Sequence, residues 1–323
     1  MESIKPFVVL TTIAEPSLSF FNILTRAKEK NFEVVVVGDR KTPKDWSRIA
    51  GITYIPVSKG EEENSYSRKN LGYLYAIKHG ATHIFDMDDD NSPIPEWGQT
   101  DFSNQSCRLS TSPTEWLNIY KVFGHSEIWP RGLPLHAIYS TDTFEYIQTP
   151  PSVVIWQSLC NEDPDTDAIW RLINRNHTKD FYFGNGNPTV LTASTICPFN
   201  AQNTLFTKEA FPLLYLPCSV NMRFSDILRS IVAQPILWAA GYQVGFTGGT
   251  VNHMRHPHDL MKDFYDELEC YANVEHVYEI VKSVVTPENS IINNLLTCYK
   301  ALSTVGIVHE WELDFLLAWR YKL

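Results

Sequence analysis

The chain has 323 residues, 44% of them hydrophobic and 13% aromatic, which supports one large α/β core or a core with a helical appendage and excludes a disordered chain. Lys and Arg number 27 against 37 Asp and Glu, a formal charge of -10, so the basic footprint that a nucleic-acid backbone demands is absent and no nucleic-acid partner is expected. The six cysteines, Cys107, Cys160, Cys197, Cys218, Cys270 and Cys298, are widely spread with no C-x-x-C pair, and free buried thiols are expected.

Phe7 to Thr12 reads as a buried strand, and after Pro16 and Ser17 a helical stripe at Leu18, Phe21, Leu24 and Ala27 runs to Lys30. Phe32 to Val37 is a second strand ending in Gly38-Asp39-Arg40, and Ile52 to Val57 a third, followed by a polar loop over Ser58 to Ser65. Ser67 to His79 reads as a helix stopped by Gly80. His83 to Asp86 continues the series as a strand and runs directly into Met87-Asp88-Asp89-Asp90-Asn91. Strands alternating with helices predict a mostly parallel sheet covered on both faces, and in such sheets ligands bind beyond the carboxyl ends of the strands.

From Trp97 to Pro151 the Trp- and Pro-rich pattern reads as loops over a cleft. Order resumes at Val153, with helices expected over Asp165 to Leu172 and Asp226 to Ala240, and strands over Asn203 to Phe206 and Tyr242 to Phe246. Leu260 to Val285, Ile291 to Val305 and Glu310 to Tyr321 read as a C-terminal helical extension. The division expected is therefore a catalytic domain over residues 1–259 and an extension over 260–323.

The sharpest chemical signal is Asp86-Met-Asp88-Asp89-Asp90. Four carboxylates beside an apolar strand repel one another unless a cation neutralises them, and a hard divalent ion with oxygen ligands, Mn2+ or Mg2+, suits that chemistry. The competing reading is a solvated acidic turn.

These segments together carry a resemblance. An Asp-x-Asp at a strand end, Val34 to Asp39 ending in Gly-Asp-Arg, Lys-Thr-Pro-Lys-Asp-Trp, and Ser67-Arg-Lys-Asn-Leu-Gly-Tyr-Leu-Tyr-Ala-Ile resemble the plant STELLO-type glycosyltransferase-like family. That family is distantly similar to the UDP-arabinopyranose mutases, or reversibly glycosylated polypeptides. Trp129-Pro-Arg-Gly-Leu-Pro-Leu, Asn161-Glu-Asp-Pro-Asp-Thr-Asp-Ala, Pro198-Phe-Asn-Ala-Gln-Asn-Thr-Leu-Phe and Arg223-Phe-Ser-Asp-Ile extend the likeness, which runs from about Thr11 to His258.

The resemblance implies a GT-A-type, Rossmann-like fold and a metal-dependent glycosyltransferase. It would use a nucleotide diphosphate sugar, a UDP-sugar in the first instance, and a glycan or protein acceptor. Asp88, Asp90 and His253 are the implied metal ligands, with His256 as the second histidine and Asp86 a supporting carboxylate. Thr11, Thr12 and Asp39 would meet the base and ribose, with Asp39 equally readable as a turn residue after Gly38. Arg68, Lys69 and Asp89 complete the donor side: an arginine fork suits phosphate oxygens, whereas Lys69 reads as an ordinary solvated helix charge.

Asp226 matches the base that deprotonates an acceptor hydroxyl, or else is a helix N-cap. Asp165, within the acidic stretch Asp163, Asp165 and Asp167, is read either as an acceptor ligand or as part of a capped helix start. Arg131 matches the arginine on which the mutase-like proteins become glycosylated, and is read here as a cation over the cleft. Trp129 is the tryptophan expected to stack on a sugar.

A UDP-sugar mutase and a non-catalytic nucleotide-sugar-binding scaffold are the alternatives. No apolar run reaches the ~18 to 20 residues needed to span a bilayer, so the chain reads as cytoplasmic as given. A lumenal domain of a membrane-anchored Golgi parent would look the same. A homo-oligomer is left open.

Overall fold

The computed structural model describes residues 4–56, 66–176, 180–184, 186–256 and 258–323. The loop expected over Ser58 to Ser65, and Val57 before it, lie outside the described residues.

The chain opens as a β/α alternation. Strand β1 (Pro6–Thr11), helix α1 (Leu18–Glu29), β2 (Glu33–Val37), β3 (Ile52–Ile55), α2 (Lys69–Lys78) and β4 (His83–Met87) follow one another. The valine-rich strands are apolar on both faces because both are covered: Phe7, Val9 and Val35 enter one core, Val8, Leu10, Val34 and Val36 the other. Ser17 starts α1 by accepting a hydrogen bond from the Phe20 amide at 3.1 Å. Gly72 lets α2 lie directly on the sheet, for a Cβ there would stand 2.5 Å from Val9 Cγ1.

Then come β5 (Asn91–Pro93), β6 (Cys107–Thr111), α3 (Ile119–Val122), β7 (Thr143–Ile147), β8 (Val153–Glu162), α4 (Ala168–Ile173), β9 (Thr189–Leu191), β10 (Asn203–Thr207), α5 (Met222–Ala239) and β11 (Gln243–His253). Among the described residues these strands join one sheet in the order β3-β2-β1-β4-β10-β8-β11-β9-β6-β7, with β5 paired to β11. The α/β class with helices on both faces stands, but the sheet is mixed. It is parallel across β3, β2, β1 and β4, whereas β10 runs antiparallel to both β4 and β8.

Several boundaries read from the sequence are corrected. The stretch from Trp97 to Pro151 contains two strands and a helix, and Trp97 and Trp116 are buried core residues. The strand expected over Tyr242 to Phe246 is longer: β11 runs on through Gly248 and Gly249 to His253, with register shifts against β8. Helix α4 begins at Ala168 with Asp167 as its N-cap, and α5 begins at Met222 with Asn221 as its cap. Asp226 therefore lies inside a helix and caps nothing.

Four C-terminal helices, α6 (Leu260–Asp266), α7 (Leu268–Val284), α8 (Ile291–Thr304) and α9 (Glu312–Lys322), bear out the helical reading of this region. Helices α7 and α8 pack on α5, and Val277, Tyr278, Leu302 and Trp319 belong to the same core as β1 and β4. All six cysteines are free, five of them buried and Cys218 half-buried. No described helix is long and apolar enough to cross a membrane.

Candidate active site

The acidic run leaves β4 at the carboxyl end of the parallel strands, between two adjoining cavities. One, about 310 Å³, is walled by Thr11 at the end of β1 and Thr12, Ile13 and Ala14 after it, by Arg68, Asp89 and His256, and by Tyr66, Asp88, Asp90 and Met222. The other, about 170 Å³, shares those last four residues and adds Arg131, Asp165, Asn200, Gln202, Arg223, Asp226, His253, Arg255 and His258. Asp88 and Asp90 thus stand at the junction, reachable from both sides.

Each carboxylate of the run has a different task. Asp86 is fully buried, held by Lys69 Nζ at 2.9 Å and Arg229 Nη2 at 2.8 Å. Asp88 Oδ1 accepts from Lys69 Nζ at 3.0 Å and from the Tyr66 hydroxyl at 2.7 Å. Burial pushes the Asp88 carboxyl up to about 6, with Asp90 adding to the effect and Lys69 opposing it. Asp89 Oδ2 accepts from the Thr12 hydroxyl, and the Asp89 carbonyl accepts from Ser17. These bonds turn the run into a fixed structure, which a solvated acidic turn would not be.

Asp90 Oδ2 lies 3.1 Å from His253 Nε2, and its Oδ1 is buried without a hydrogen-bond partner among the described residues. His253 Nδ1 is 2.5 Å from the Asp163 carbonyl, to which it can only donate, so Nε2 is the nitrogen left for Asp90. Burial disfavours a charged His253, but the hydrogen bond and charge of Asp90 raise its pKa; burial likewise raises Asp90, and His253 more than offsets this to lower it. Between an imidazole lone pair and a carboxylate oxygen something positive is required, either a proton on Nε2 or a cation. Beside an orphaned Asp90 oxygen, Asp88, Asp90 and His253 offer donor atoms of the kind a hard divalent ion takes, but among the described residues no three His, Cys, Asp or Glu side chains are gathered into a cluster that could hold one. His256, the second histidine, is exposed on the wall of the larger cavity.

Lys69 is not the solvated charge that its place on a helix surface suggested. It is completely buried, and its ammonium is engaged by Asp86, Asp88, the Tyr66 hydroxyl at 3.0 Å and the Ala201 carbonyl at 2.8 Å. Burial alone would lower its pKa, yet the two aspartates raise it. It reaches the cleft through Asp88 and Tyr66.

Arg68 borders the larger cavity, but its Nε lies 3.3 Å from Asp39 Oδ2 and its Nη1 donates to the Gly38 carbonyl at 2.5 Å. Asp39 is correspondingly buried, lies outside the lining of the larger cavity, and also accepts from the Lys41 amide as a turn residue does. The turn reading describes it better than direct contact with a base.

Arg131 forms the floor of the smaller cavity and does not hang over it. Its Nε and Nη2 donate to Asp165 Oδ2 at 3.0 and 2.7 Å, and Nη1 and Nη2 donate to the two oxygens of Asp226 at 3.0 and 3.1 Å. Burial opposes its charge, but the two aspartates hold the guanidinium firmly protonated; burial likewise opposes the charge on Asp165, which Arg131 nevertheless keeps well below the usual carboxylate range. Asn200 Nδ2 adds a hydrogen bond to Asp165 at 3.0 Å, and the Ala201 amide one to Asp226 at 3.1 Å.

Trp129 packs against the hydrophobic core and lines neither cavity. Tyr66 is the aromatic residue at the junction. Sequence reasoning also passed over Asn200, Gln202 and Arg255. The motifs Pro198-Phe-Asn-Ala-Gln and Val251-Asn-His-Met-Arg contain them, but nothing local distinguishes these residues from their neighbours.

No protein-family model matches the chain. In an alignment of 330 positions that covers 92% of the chain, it is 29% identical to STELLO1 and to STELLO2 of Arabidopsis thaliana, each described as a probable glycosyltransferase. The likeness read from the motifs therefore extends along nearly the whole chain, which spans less than half, 42%, of the length of these curated relatives. Among solved structures, S. aureus TarS residues 1–349 aligns over 99% of this chain and 88% of its own, at 12% identity and a TM-score of 0.32.

Proposed function

We propose that the chain is a glycosyltransferase, of the GT-A type; STELLO1 and STELLO2, which it resembles, are each described as a probable glycosyltransferase. In this reading it takes a nucleotide diphosphate sugar, a UDP-sugar in the first instance, and transfers the sugar to a hydroxyl of a glycan or protein. The observation that carries the proposal is the shared wall: Asp88 and Asp90 border both cavities, where the diphosphate linking a nucleotide to its sugar would lie.

A Mn2+ or Mg2+ ion held by Asp88, Asp90 and His253 would supply the positive charge that stabilises a departing diphosphate. The chain's own residues prepare for it. Lys69 and Tyr66 fix Asp88 by one oxygen, the Asp163 carbonyl fixes the ring of His253, and Thr12 fixes Asp89. Thr11 and Thr12 border the nucleotide side, and Arg68 supports the Gly38-Asp39 turn beside it.

On the sugar side, Arg131 locks Asp165 and Asp226 into one rigid wall. Both oxygens of Asp226 already accept hydrogen bonds, which supports orientation of the sugar or acceptor over the role of base. The same pairing gives little support to glycosylation of Arg131. We further propose residues 1–259 as the catalytic part and the extension from 260 as its brace. Glu267 and Asp263 of the extension hold Arg223 and Arg255 at the edge of the smaller cavity.

Thermal unfolding with UDP and Mn2+ tests the proposal. The wild type should be stabilised, by about 2.7 kcal/mol at a ligand concentration near 100 Kd. The Asp88→Asn/Asp90→Asn double variant should show no Mn2+-dependent shift; an unchanged shift would remove the metal assignment. Product analysis with UDP-sugar alone separates transfer from a mutase reaction, and binding without turnover would mark a scaffold.

A further inference from the structure

A third cavity, of about 200 Å³, opens on the opposite face of the sheet and shares no lining residue with the cleft. The alternation of the strands separates the two. On β8, Trp156 and Ser158 border this cavity, whereas Gln157 between them hydrogen-bonds Asn200 of the cleft. On β10, Asn203 and Leu205 border it, whereas the Thr204 hydroxyl donates to the Asn200 carbonyl.

The floor is apolar. Phe85 and Leu205 belong to the core under it, and Phe102 stacks on Trp156 with ring centroids 4.2 Å apart. Around this floor stands a set of neutral hydrogen-bonding groups with capacity to spare. Asn203, only 2% exposed, donates through Nδ2 to the Ser158 carbonyl at 3.2 Å and to Thr250 Oγ1 at 2.9 Å. Its Oδ1 accepts no hydrogen bond from the described residues. Ser158 Oγ accepts from the Thr247 hydroxyl at 2.8 Å, so its own proton is left over, and Thr250, accepting from Asn203, likewise keeps a proton to give.

Charge narrows the ligand class. Glu96, exposed at the rim, is the only charged residue in the described lining, so a phosphate or a nucleotide has no counter-charge here. The volume lies below the ~300 to 1,000 Å³ of pockets for drug-sized ligands and leaves room for one ring. An apolar floor ringed by one amide oxygen, two hydroxyl protons and the amides of Gln99 and Gln105 matches a molecule with C–H faces and a belt of hydroxyls.

We propose that this cavity is a second binding site, for a single neutral sugar ring, independent of the nucleotide cleft and of the function assigned to it.

The test uses ligand-observed saturation-transfer NMR on the whole chain with a panel of methyl glycosides of hexoses and pentoses. Gly186, at the rim, has no atom within 4 Å of a Cβ built on it, so Gly186→Phe should fill the mouth without strain. Thr250→Val removes one hydroxyl from a side chain of the same shape, and keeps the test alive if the first variant folds poorly. At least one glycoside should bind the wild type, each folded variant should weaken it tenfold or more, and UDP with Mn2+ should leave it bound. The proposal is overturned if no glycoside binds, if the variants bind like the wild type, or if UDP displaces the sugar.

Discussion

Replacing Lys69 with methionine keeps the length and apolar stem of the side chain and removes only the ammonium. That ammonium is fully buried, 2.9 Å from Asp86 and 3.0 Å from Asp88. Removing one partner of a buried pair costs about 3 to 5 kcal/mol, because the other charge is left without compensation. Asp86 keeps Arg229 at 2.8 Å and Asp88 keeps Tyr66, so the lower end, about 3 kcal/mol, is expected. At about 2 °C per kcal/mol for a chain of this size, the melting temperature should fall by roughly 6 °C. Urea denaturation at neutral pH measures the free energy directly, with Lys78→Met as the control, an exposed lysine on the same helix whose loss should cost no more than about 0.5 kcal/mol. Adding Asp88→Asn to Lys69→Met should restore part of the loss, since it removes the carboxylate that the first change strands. A Lys69→Met protein within about 1 kcal/mol of the control would refute the reasoning, and with it the claim that Lys69 fixes Asp88.

Asp167 tests the same physics with the opposite sign. It caps α4, but burial and the neighbouring Glu267 push its carboxyl up to about 7, and its Oδ2 is buried without a partner. A folded pKa above the unfolded value means that ionisation opposes folding. Stability is fully present below about pH 4 and is lost as pH rises towards 7, by up to about 4 kcal/mol. Asp167→Asn keeps the cap and should raise the urea midpoint at pH 8 while leaving it nearly unchanged at pH 4. Arg131→Gln strands Asp165 and Asp226 together and should cost at least about 3 kcal/mol at pH 7, with the deficit narrowing in acid as Asp165, no longer held ionised by the arginine, takes up a proton. Gly72→Ala puts a methyl group 2.5 Å from Val9 Cγ1 and should destabilise by about 1 to 3 kcal/mol despite the better helix propensity of alanine; a more stable variant would show that α2 can lift off the sheet.

The sequence by itself determined the parts that depend on near neighbours. The strands over Phe7, Val34 and Ile84, the start of α1 after Ser17, and the carboxylates at the end of β4 were legible, because periodicity and strand ends are properties of a few consecutive residues. His253 was singled out only through the resemblance, not through any local pattern. Helix starts at Asp165 and Asp226 were misread, since an aspartate near a helix looks like a cap whether or not its carboxylate is free to cap. Only the tertiary structure decided what each charge does. Arg131 meets Asp226 across 95 residues, Arg229 meets Asp86 across 143, and Lys69 of α2 is buried only because carboxylates at the end of β4 neutralise it. Burying a charge is affordable or ruinous according to its partners, and partners drawn from distant segments leave no periodic trace in the chain.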